Sequence, residues 1–476
     1  MAETTLLWHD YETWGVNPRR DRPSQFAAIR TNLNLEIIGK PVEIFCQPSQ
    51  DFIPHPEAVL VTGITPQRAM REGIPEAQFF QQINAEFSKA GTCGVGYNSI
   101  RFDDEVTRFG FYRNFIDPYA REWQNGNSRW DILDLVRMTY ALRPDGIEWP
   151  QRDNGTGLPS FRLEHLTTAN NIEHAGAHDA LIDVKATIEI ARLIKRTQPR
   201  LFDFYFSLRQ KTKAAELLKL HADTIVLHIS GMFPAELGCI APIYPLMQHP
   251  TNKNEIICFD LRQDPELLLS LSAEDIAINL YTPNKERAED DVRVALKGVH
   301  LNKSPALAPI KTLSDKQAEK WKINWNEIEA NKQKLLSDKT LLPRLQEMYQ
   351  KKRDFGESDV DSALYNGFIN PADRKICNQI INTSPETLAK LTPAFSDNRL
   401  QTLFPRYRAR NWLETLNTDE QREWQEFCHA RLMDGKYGST LTAHEFNNTL
   451  EEIAQRDLSE REQKLMQELV TWVQSL

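Results

Sequence analysis

The sequence lacks the features that mark membrane proteins, secreted proteins and proteins built around structural zinc. No apolar run approaches the roughly 18–20 residues that cross a bilayer, and residues 1–5 contain an acid and no basic n-region of a signal peptide. The six cysteines include no C-x-x-C pair, which argues against structural zinc and against a disulfide framework. We therefore expect a protein of the reducing cytoplasm.

Positive charge is also scarce overall. The 476-residue chain has a formal net charge of −9, which by itself disfavours nucleic acid as a partner. Lysines and arginines are nevertheless frequent in the stretch Lys303–Arg353. One interpretation is therefore an acidic protein with a basic groove for nucleic acid. The alternative interpretation is that most of these lysines lie on solvated helix faces.

The pattern of apolar residues divides the chain into three segments. Residues 1–198 begin with strands and continue with strands alternating with helices, which indicates an α/β domain on a mixed sheet. Residues 199–354 contain short strands between turn residues, which predicts a smaller β-rich domain with a lysine-rich helical tail. Residues 355–476 are helical in period almost throughout.

Individual elements follow from the hydrophobic period and from turn residues. In the first segment we predict strands at 4–9, 25–30, 42–46 and 93–97, and helices at 76–87, from about 103, at 130–142, at 162–169 and at 178–195. In the second segment we predict strands at 224–228, 255–260 and 292–299.

The first predicted strand ends in a pair of acids. The run is His9-Asp10-Tyr11-Glu12-Thr13, and residues i and i+2 of a strand project from the same face, so Asp10 and Glu12 point at one spot beyond the sheet edge. Two carboxylates so close repel each other unless a cation lies between them, and the hard ion Mg²⁺ prefers oxygen ligands. The alternative is that ordinary polar residues end a strand.

Two further acids follow at predicted helix starts. Asp103 comes after a strand and a loop with Asn98, and it either presents its carboxylate from an adjacent strand's end or caps the helix. His178 and Asp183 are five positions apart, about 140° from eclipsed on a helix, so His178 shares a site with Asp183 only from an unwound first turn. There it would serve as a general base; the alternative is a surface histidine with Asp179 as the cap.

Taken together, these patterns resemble those of the DEDDh exonucleases of the ribonuclease H-like fold, in which a histidine rather than a tyrosine precedes the last aspartate. More closely, the chain resembles the bacterial exodeoxyribonuclease I (exonuclease I) family along its whole length. The likeness thins across about 210–290 and after about 415. The stretches that carry it are 9–13, 21–31, 62–66, 101–108, 160–166, 177–180, 364–368 and 407–411.

The resemblance implies an architecture and an activity. Residues 1–198 would form a DEDDh exonuclease domain, 199–354 an SH3-like β domain and 355–476 a helical C-terminal domain, the last two making a closed passage for one strand. The implied enzyme is a cytoplasmic, mostly monomeric 3′→5′ exonuclease that degrades single-stranded DNA processively to 5′-mononucleotides, in DNA repair and recombination.

The resemblance also implies a mechanism with two divalent ions, which would clamp the attacking and leaving oxygens. Asp10 would bridge both ions, Glu12 and Asp183 would complete one site, and Asp103 would hold the other through water. The expected ion is Mg²⁺, with Mn²⁺ able to substitute. His178 would take the proton from the attacking water.

The strand should be held by arginines on phosphates and by aromatic rings under bases. Positions matching the family assign this role to Glu12, Arg108, Tyr119, Trp123, Arg137, Arg162, Asn254, Lys297 and Asn302. For Trp123 a place in the core is the alternative.

Arg143 is assigned by the same resemblance to the acidic, hydrophobic-ended tail of single-stranded DNA-binding protein, because arginine suits a terminal carboxylate. Phe204 stands where the family pattern has tyrosine, which removes one hydrogen bond from the expected pocket. The alternative for Arg143 is a C-terminal helix residue favoured by the helix dipole.

Two other functions stay open from the sequence. A DEDDh ribonuclease that trims RNA ends would leave the long chain beyond residue 198 unexplained. A catalytically idle strand-binding scaffold would have no need of four acids that repel phosphate.

Overall fold

The structure is a computed structural model that describes residues 3–176, 178–220, 222–351 and 358–476. Its contacts divide the chain into two units. The first consists of Met1–Ser128, His174–Ile188 and Gly356–Leu476, and the second of Arg129–Glu173 and Glu189–Phe355. The predicted boundary at 354–355, the end of the basic tail at 352–353 and Ala177 beside His178 lie outside the described residues.

The N-terminal elements of the first unit are strands β1 (Thr5–Thr13), β2 (Pro23–Thr31), β3 (Val42–Phe45) and β4 (Thr92–Gly96), with helices α1 (Pro56–Thr62), α2 (Pro66–Glu72), α3 (Glu76–Phe87) and α4 (Asp103–Arg113). Next along the chain come β5 (Ser128–Asp131), α5 (Ile132–Leu142), α6 (Leu163–Ala169) and α7 (Ala180–Thr197).

The sheet of the first unit is mixed, as predicted. Its first four strands are ordered β3-β2-β1-β4, with β1 antiparallel to β2 and parallel to β4. Helix α3 packs Phe79, Phe80, Ile83 and Phe87 into the core cluster that contains Phe26 of β2. This spacing is the apolar stripe of an amphipathic helix, and the burial of each such side chain contributes about 1.5–3 kcal/mol.

The predicted ends of these elements lie within two residues of the observed ones, except for the C-terminal end of the strand predicted at 4–9. The helix predicted at 76–87 is confirmed at both ends. The strand predicted at 4–9 is too short, because β1 continues to Thr13 through its pairing with β2. The helix predicted at 130–142 begins at Ile132: residues 128–131 form β5, and Asp131 caps the helix by accepting a hydrogen bond from the Leu133 amide.

The second unit contains a five-stranded antiparallel sheet in the order β10-β6-β7-β8-β9. Its elements are α8 (Pro199–Ser207), α9 (Lys211–Leu217), β6 (Val226–Ile229), β7 (Ile240–Gln248), β8 (Glu255–Asp260), α10 (Glu266–Ser270), α11 (Ala273–Tyr281), β9 (Leu296–His300), β10 (Ala306–Pro309), α12 (Asp315–Lys320), α13 (Trp325–Ser337) and α14 (Leu341–Gln350).

Sequence reasoning found this sheet incompletely. The strand at 255–260 is confirmed at both ends, whereas the one predicted at 292–299 begins later, at Leu296. Strand β7 was not predicted because Pro242 and Pro245 interrupt its pattern. Proline removes a backbone donor and is confined to edges and bulges, and the register of β7 with β8 indeed shifts between Pro245 and Met247.

The C-terminal part of the first unit is helical, as predicted, with α15 (Pro371–Ile381), α16 (Pro385–Leu388), α17 (Asn398–Asn411), α18 (Thr418–Leu432), α19 (Ala443–Ile453) and α20 (Glu460–Val473). Among the described residues, no helix is long and apolar enough to cross a membrane. All six cysteines are free and buried.

A buried ion network joins distant segments of the first unit. Asp361 accepts hydrogen bonds from Arg410 at 2.5 and 2.8 Å and from Arg431 at 3.2 Å. Asp51 accepts two from Arg410, at 2.8 and 3.1 Å. The Arg22 guanidinium lies 3.6 Å from the carboxylates of both Asp51 and Asp361. The network therefore links arginines of the C-terminal helices to Arg22 and Asp51, which both precede α1.

The arginines determine the ionisation of the two acids. Burial acts to raise the pKa of Asp361, but Arg410, Arg22 and Arg431 outweigh it and hold that pKa well below its ordinary value. The pKa of Asp51 is lowered against burial by the same three guanidiniums. Because both folded-state pKa values are depressed, these acids stabilise the fold above their unfolded pKa, and the stabilisation is lost as the pH falls through the folded values.

We predict that Asp361→Asn lowers the free energy of unfolding by about 3–5 kcal/mol, because it leaves buried guanidiniums uncompensated. Urea unfolding at neutral pH measures the loss. The difference from wild type should persist down to about pH 4, the ordinary pKa of aspartate, and shrink below it. The matched control is Asp457→Asn, at an exposed position. Equal stabilities of the two variants would contradict the prediction.

Candidate active site

Two acids project from the part of β1 that runs past β4. Asp10 pairs with Ala27 of β2 and Glu12 with Gln25, whereas β4 pairs only with Thr5–Trp8. The acids therefore stand within a strand and not after its end, which corrects the expectation from sequence. Their common face follows from the period of two. A Cβ at Gly96 would lie 2.8 Å from the His9 carbonyl oxygen, so only glycine lets β4 turn away at this point.

Asp103 is the first residue of α4 and faces β1. Its Oδ1 accepts a hydrogen bond of 3.2 Å from the backbone N–H of Tyr11, which lies between the two acids of the strand. The residue at the helix cap is Phe102, and it makes no side-chain capping bond. The capping interpretation of Asp103 is therefore wrong.

Asp183 lies in the first turn of α7. Its carboxylate Oδ1 accepts a 2.6 Å hydrogen bond from Nε2 of His174, a buried ring in the loop before the helix. The helix start is tied to the sheet, because the Ala180 amide donates to the Gln25 side chain at 3.2 Å. Gln25 in turn donates to Glu43 at 3.0 Å.

Three of the acids converge. Asp10, Glu12 and Asp183 each offer one carboxylate oxygen, and these atoms lie within 4.8 Å of one another. In the described part of the chain Asp103 is not a member of this close group. It remains near enough to raise the pKa values of Asp10 and Glu12.

The acids disfavour each other's charge. Burial, then Asp103, Glu12 and Asp183, raise the pKa of Asp10 well above its ordinary value. Burial, then Asp183, Asp103 and Asp179, raise the pKa of Glu12 to about 9. A divalent cation would relieve this repulsion, and a set made only of carboxylate oxygens suits a hard ion such as Mg²⁺ or Mn²⁺. The residues present therefore fit a metal centre.

His178 lies two residues before α7 begins, in a left-handed conformation with φ of 70°. Its side chain is exposed. Asp179 accepts hydrogen bonds from the amides of Leu181 and Ile182, so it caps the helix, as in the alternative interpretation of this segment. This position fits both a general base and a surface histidine, so the role of His178 stays a prediction.

Of the predicted strand contacts in the first unit, two are accessible. Trp123 is 65% exposed, so its alternative place in the core is wrong. Tyr119 is half-buried, and the Arg108 guanidinium lies 5.5 Å from its ring centre. Arg108 itself is buried and donates to Glu122 at 2.7 and 2.9 Å and to Glu105 at 2.8 Å. It acts as an internal ion-pair partner, and a strand contact by Arg108 stays a prediction.

The remaining predicted contacts belong to the second unit. Arg137 donates to Asp134 at 2.8 Å, and Asn254 accepts from Lys211 at 2.6 Å. The Lys297 ammonium lies 5.3 Å from the Phe233 ring centre, and the Asn302 carbonyl accepts from Arg129 at 2.9 Å. Arg162 is exposed. Their roles toward a strand stay predictions.

Sequence reasoning missed three residues beside the site. His174 holds Asp183, but no spacing rule points to a histidine in an irregular loop. Tyr365 donates to Glu105 at 2.6 Å, and Phe368, 84% exposed, packs its ring 6.2 Å from that of Tyr119. The signal for the two aromatics was present, because both lie in the stretch 364–368 that resembles the exonuclease I pattern.

A mixed sheet whose first strand carries an aspartate and a glutamate, with an aspartate at each of two helix starts, is the framework of exonucleases on the ribonuclease H-like fold. Residues 7–191 match the family model described as Exonuclease. Residues 209–351 match the Exonuclease I SH3-like domain, and residues 358–476 match the Exonuclease I C-terminal domain. The chain belongs to the exonuclease I family, and the predicted fold class is confirmed.

Relatives support this membership along nearly the whole chain. Exodeoxyribonuclease I of Escherichia coli is 46% identical over 425 residues, which cover 89% of each chain. Exodeoxyribonuclease I of Haemophilus influenzae is 45% identical over 434 residues, 91% of each chain.

Solved structures agree with the sequences. Exonuclease I from Methylocaldum szegediense, described as moderately thermophilic, superposes with a TM-score of 0.94 at 45% identity, over 99% of both chains. Escherichia coli exonuclease I in complex with a dA16 oligonucleotide gives 0.93 at 42% identity, over 99% of this chain and 100% of that one. A zinc-ion-bound complex of the Escherichia coli enzyme with single-stranded DNA gives 0.93 at 41% identity, over 100% of this chain and 99% of that one.

We predict that saturating Mg²⁺ raises the unfolding temperature of the wild-type protein, because a ligand that binds only the folded state at 100 times its Kd adds about 2.7 kcal/mol. Asp10→Asn should lose most of this shift. Differential scanning fluorimetry with and without Mg²⁺ measures it for each variant. Glu173→Gln, at an exposed acid outside the cluster, should keep the full shift. An undiminished shift in Asp10→Asn would contradict the metal assignment.

Proposed function

We propose that this protein is a 3′→5′ exodeoxyribonuclease that removes 5′-mononucleotides processively from single-stranded DNA. The observation that carries the proposal is the convergence of Asp10, Glu12 and Asp183 within 4.8 Å in a chain of the exonuclease I family. Support for the substrate comes from relatives named exodeoxyribonuclease I and from family members solved in complex with single-stranded DNA.

The proposed cofactor is a pair of Mg²⁺ ions, with Mn²⁺ able to substitute. Asp10, Glu12 and Asp183 would hold one ion, and Asp10 together with Asp103 would hold the second. Bound divalent ions would stabilise the charge that develops on the attacking and leaving oxygens of the phosphodiester. The contribution of the chain is to hold four carboxylates on two strand positions and two helix starts, where packing limits their movement.

The proposed proton acceptor is His178. From its exposed position before α7 it can take the proton of the attacking water at a ring nitrogen. Asp183, one helical turn further, is held by His174 at 2.6 Å. The contrast suits the two roles, since a base needs access to solvent while a ligand needs a fixed carboxylate.

Strand binding is proposed for the residues assigned from the family pattern, Glu12, Arg108, Tyr119, Trp123, Arg137, Arg162, Asn254, Lys297 and Asn302. Trp123 and Phe368 add exposed aromatic surface near Tyr119, and stacking on such rings tolerates any base. Phe368 therefore joins the proposed set.

We also propose the domain division 1–198, 199–354 and 355–476, supported by family matches over 7–191, 209–351 and 358–476. A monomer in the cytoplasm that acts in DNA repair and recombination completes the proposal. The free thiol of every cysteine suits that reducing compartment.

A second proposed surface would bind the acidic tail of single-stranded DNA-binding protein. Arg143 donates to the carbonyls of Leu142 and Thr312 at 2.6 and 2.8 Å. The same groove is lined by Lys311, Lys316 and Lys320 and by apolar residues such as Leu313. Four basic side chains against the two acids Asp145 and Glu319 leave the groove lining net positive beside its apolar residues, which suits a peptide with acidic residues and a hydrophobic end.

We predict that wild-type protein with Mg²⁺ digests a 5′-blocked single strand of DNA, while a 3′-blocked strand persists, because the acids receive a strand terminus. Asp10→Ala should lose cleavage and keep strand binding, since it removes a metal ligand and no phosphate contact. Products of end-labelled strands resolved by length, together with binding in chelator, measure both effects.

The same assay includes RNA and double-stranded DNA as controls. Preferential digestion of RNA would support an RNA-trimming enzyme instead, and equal digestion of both blocked strands would contradict the polarity. Wild-type binding without any Mg²⁺-dependent cleavage would indicate a scaffold.

We predict that Arg143→Glu weakens binding of a short acidic peptide with a hydrophobic, free C-terminus about tenfold or more, the scale of one lost hydrogen bond to a charged group. Fluorescence anisotropy measures the affinity. Arg200→Glu, at an exposed position, makes the same charge change and should bind like wild type. Identical losses in both variants would reduce the effect to net charge.

A further inference from the structure

The loop that follows β1 is a closed, rigid turn. The Asn17 amide donates to the Asp21 carboxylate at 2.7 Å, and the Asp21 amide donates to the Asn17 carbonyl at 2.8 Å. At the base of the loop the Trp14 amide donates to the Arg22 carbonyl at 2.9 Å. A Cβ at Gly15 would overlap the Asp21 carboxylate, so glycine is required for this closure.

Arg19 projects from the tip of this loop onto α4 and Tyr365. Its Nε donates to Glu105 at 3.0 Å, and its Cζ lies 5.2 Å from the Tyr365 ring centre and 6.0 Å from that of Phe109. Its amide donates to the Asn17 side chain at 3.1 Å. The guanidinium is thus fixed by one hydrogen bond and two aromatic faces.

The outer half of the same guanidinium remains accessible. The Arg19 side chain is 57% exposed, and among the described residues neither of its Nη groups has a hydrogen-bond partner. Glu105 already has two other donors, because its Oε1 also accepts from Tyr365 at 2.6 Å and from Arg108 at 2.8 Å. The two outward Nη groups therefore form a positioned pair of donors.

This pair is connected to the acidic centre through two parts of the chain. The loop follows directly from the strand that carries Asp10 and Glu12. Glu105, the anchor of Arg19, is two residues beyond Asp103 on the first turn of α4. Arg108, bound to the same Glu105, faces Tyr119. Arg19 is therefore held by the segment that follows β1 and by the first turn of α4, the two elements that carry Asp10, Glu12 and Asp103.

The contact with Glu105 does not by itself explain why an arginine stands at position 19. A half-exposed ion pair contributes about 0–1 kcal/mol, and Glu105 already has two other donors. A planar guanidinium with two free, parallel donors matches the geometry of a phosphate, which a lysine ammonium does not. A cation is also needed here, because the nearby carboxylates repel the DNA backbone.

We infer that Arg19 is a strand-binding residue whose Nη groups hold a backbone phosphate of single-stranded DNA beside the acidic centre. The inference rests on the proposed function. The Tyr365 ring packs against the guanidinium, and the hydrogen bond to Glu105 fixes the orientation of that group.

The test compares two arginines of one loop. Arg20 is exposed and has no side-chain partner among the described residues, so Arg20→Ala removes the same charge without the anchored fork. A fluorescent oligothymidylate is titrated in chelator, where it is not cut, at several salt concentrations. We expect Arg19→Ala to weaken binding about tenfold, the effect of one charged hydrogen bond, and Arg20→Ala to change it less than about twofold, as for a screened surface charge.

Salt dependence separates a phosphate contact from a structural effect. For single strands each neutralised phosphate contributes about −0.7 to the slope of log affinity against log salt. Arg19→Ala should reduce the slope by that amount, whereas Arg19→Lys should keep the slope and bind less tightly than wild type. Unfolding temperatures of the Ala variants should match wild type. Equal affinities and slopes for Arg19→Ala and Arg20→Ala would overturn the inference.

The wild-type protein in the same experiment distinguishes a failure of the proposed function from a failure of the Arg19 assignment. If it neither binds the oligothymidylate nor digests it after Mg²⁺ is added, the proposed function fails. If it does both and Arg19→Ala behaves like Arg20→Ala, the assignment of Arg19 alone fails.

Discussion

Repulsion among partly buried carboxylates is the constraint on which the rest of this structure depends. Asp10 and Glu12 share one face of β1, and α7 brings Asp183 to the same spot. Such a cluster opposes folding unless cations neutralise it, so the scaffold has to hold it in place. The register of β1 with β2 and the bond from α7 to Gln25 provide that rigidity. The same repulsion that weakens the fold creates the affinity for divalent ions, which ties stability to the cofactor.

The C-terminal part of the first unit helps to position residues near the acidic centre, as the sheet does. The charges of Asp361 and Arg410 join those of Arg22 and Asp51 in a network that water does not screen. Tyr365 and Phe368 follow Asp361 within a few residues, so the network also fixes where these rings lie relative to α4. Removing the C-terminal segment would therefore take away part of the proposed strand-binding surface along with stability.

Strand alternation predicted that Asp10 and Glu12 share one face of β1, whereas Asp103 and Asp183 were assigned to the same site through the resemblance to DEDDh exonucleases. The sequence also identified helix α3 and strand β8 at both ends. It failed where tertiary contacts decide. Residues 130–131 belong to strand β5, although their pattern predicted the first turn of a helix. The prolines of β7 interrupt the alternating pattern by which a strand is predicted. The hydrogen bonds between His174 and Asp183 and between Arg19 and Glu105 join loops to helices. No periodic pattern in the sequence connects these residues, so only the folded chain reveals the two contacts.

The buried cysteines have a practical consequence for following this protein one molecule at a time. Maleimide dyes react with thiolates, and burial raises the pKa of thiols such as Cys46, Cys258 and Cys428 while also blocking access. The native thiols can therefore stay in place during labelling. A single cysteine introduced at Val16, which is exposed in the loop beside Arg19, would carry the only reactive handle among the described residues and report fluorescence changes as a strand passes.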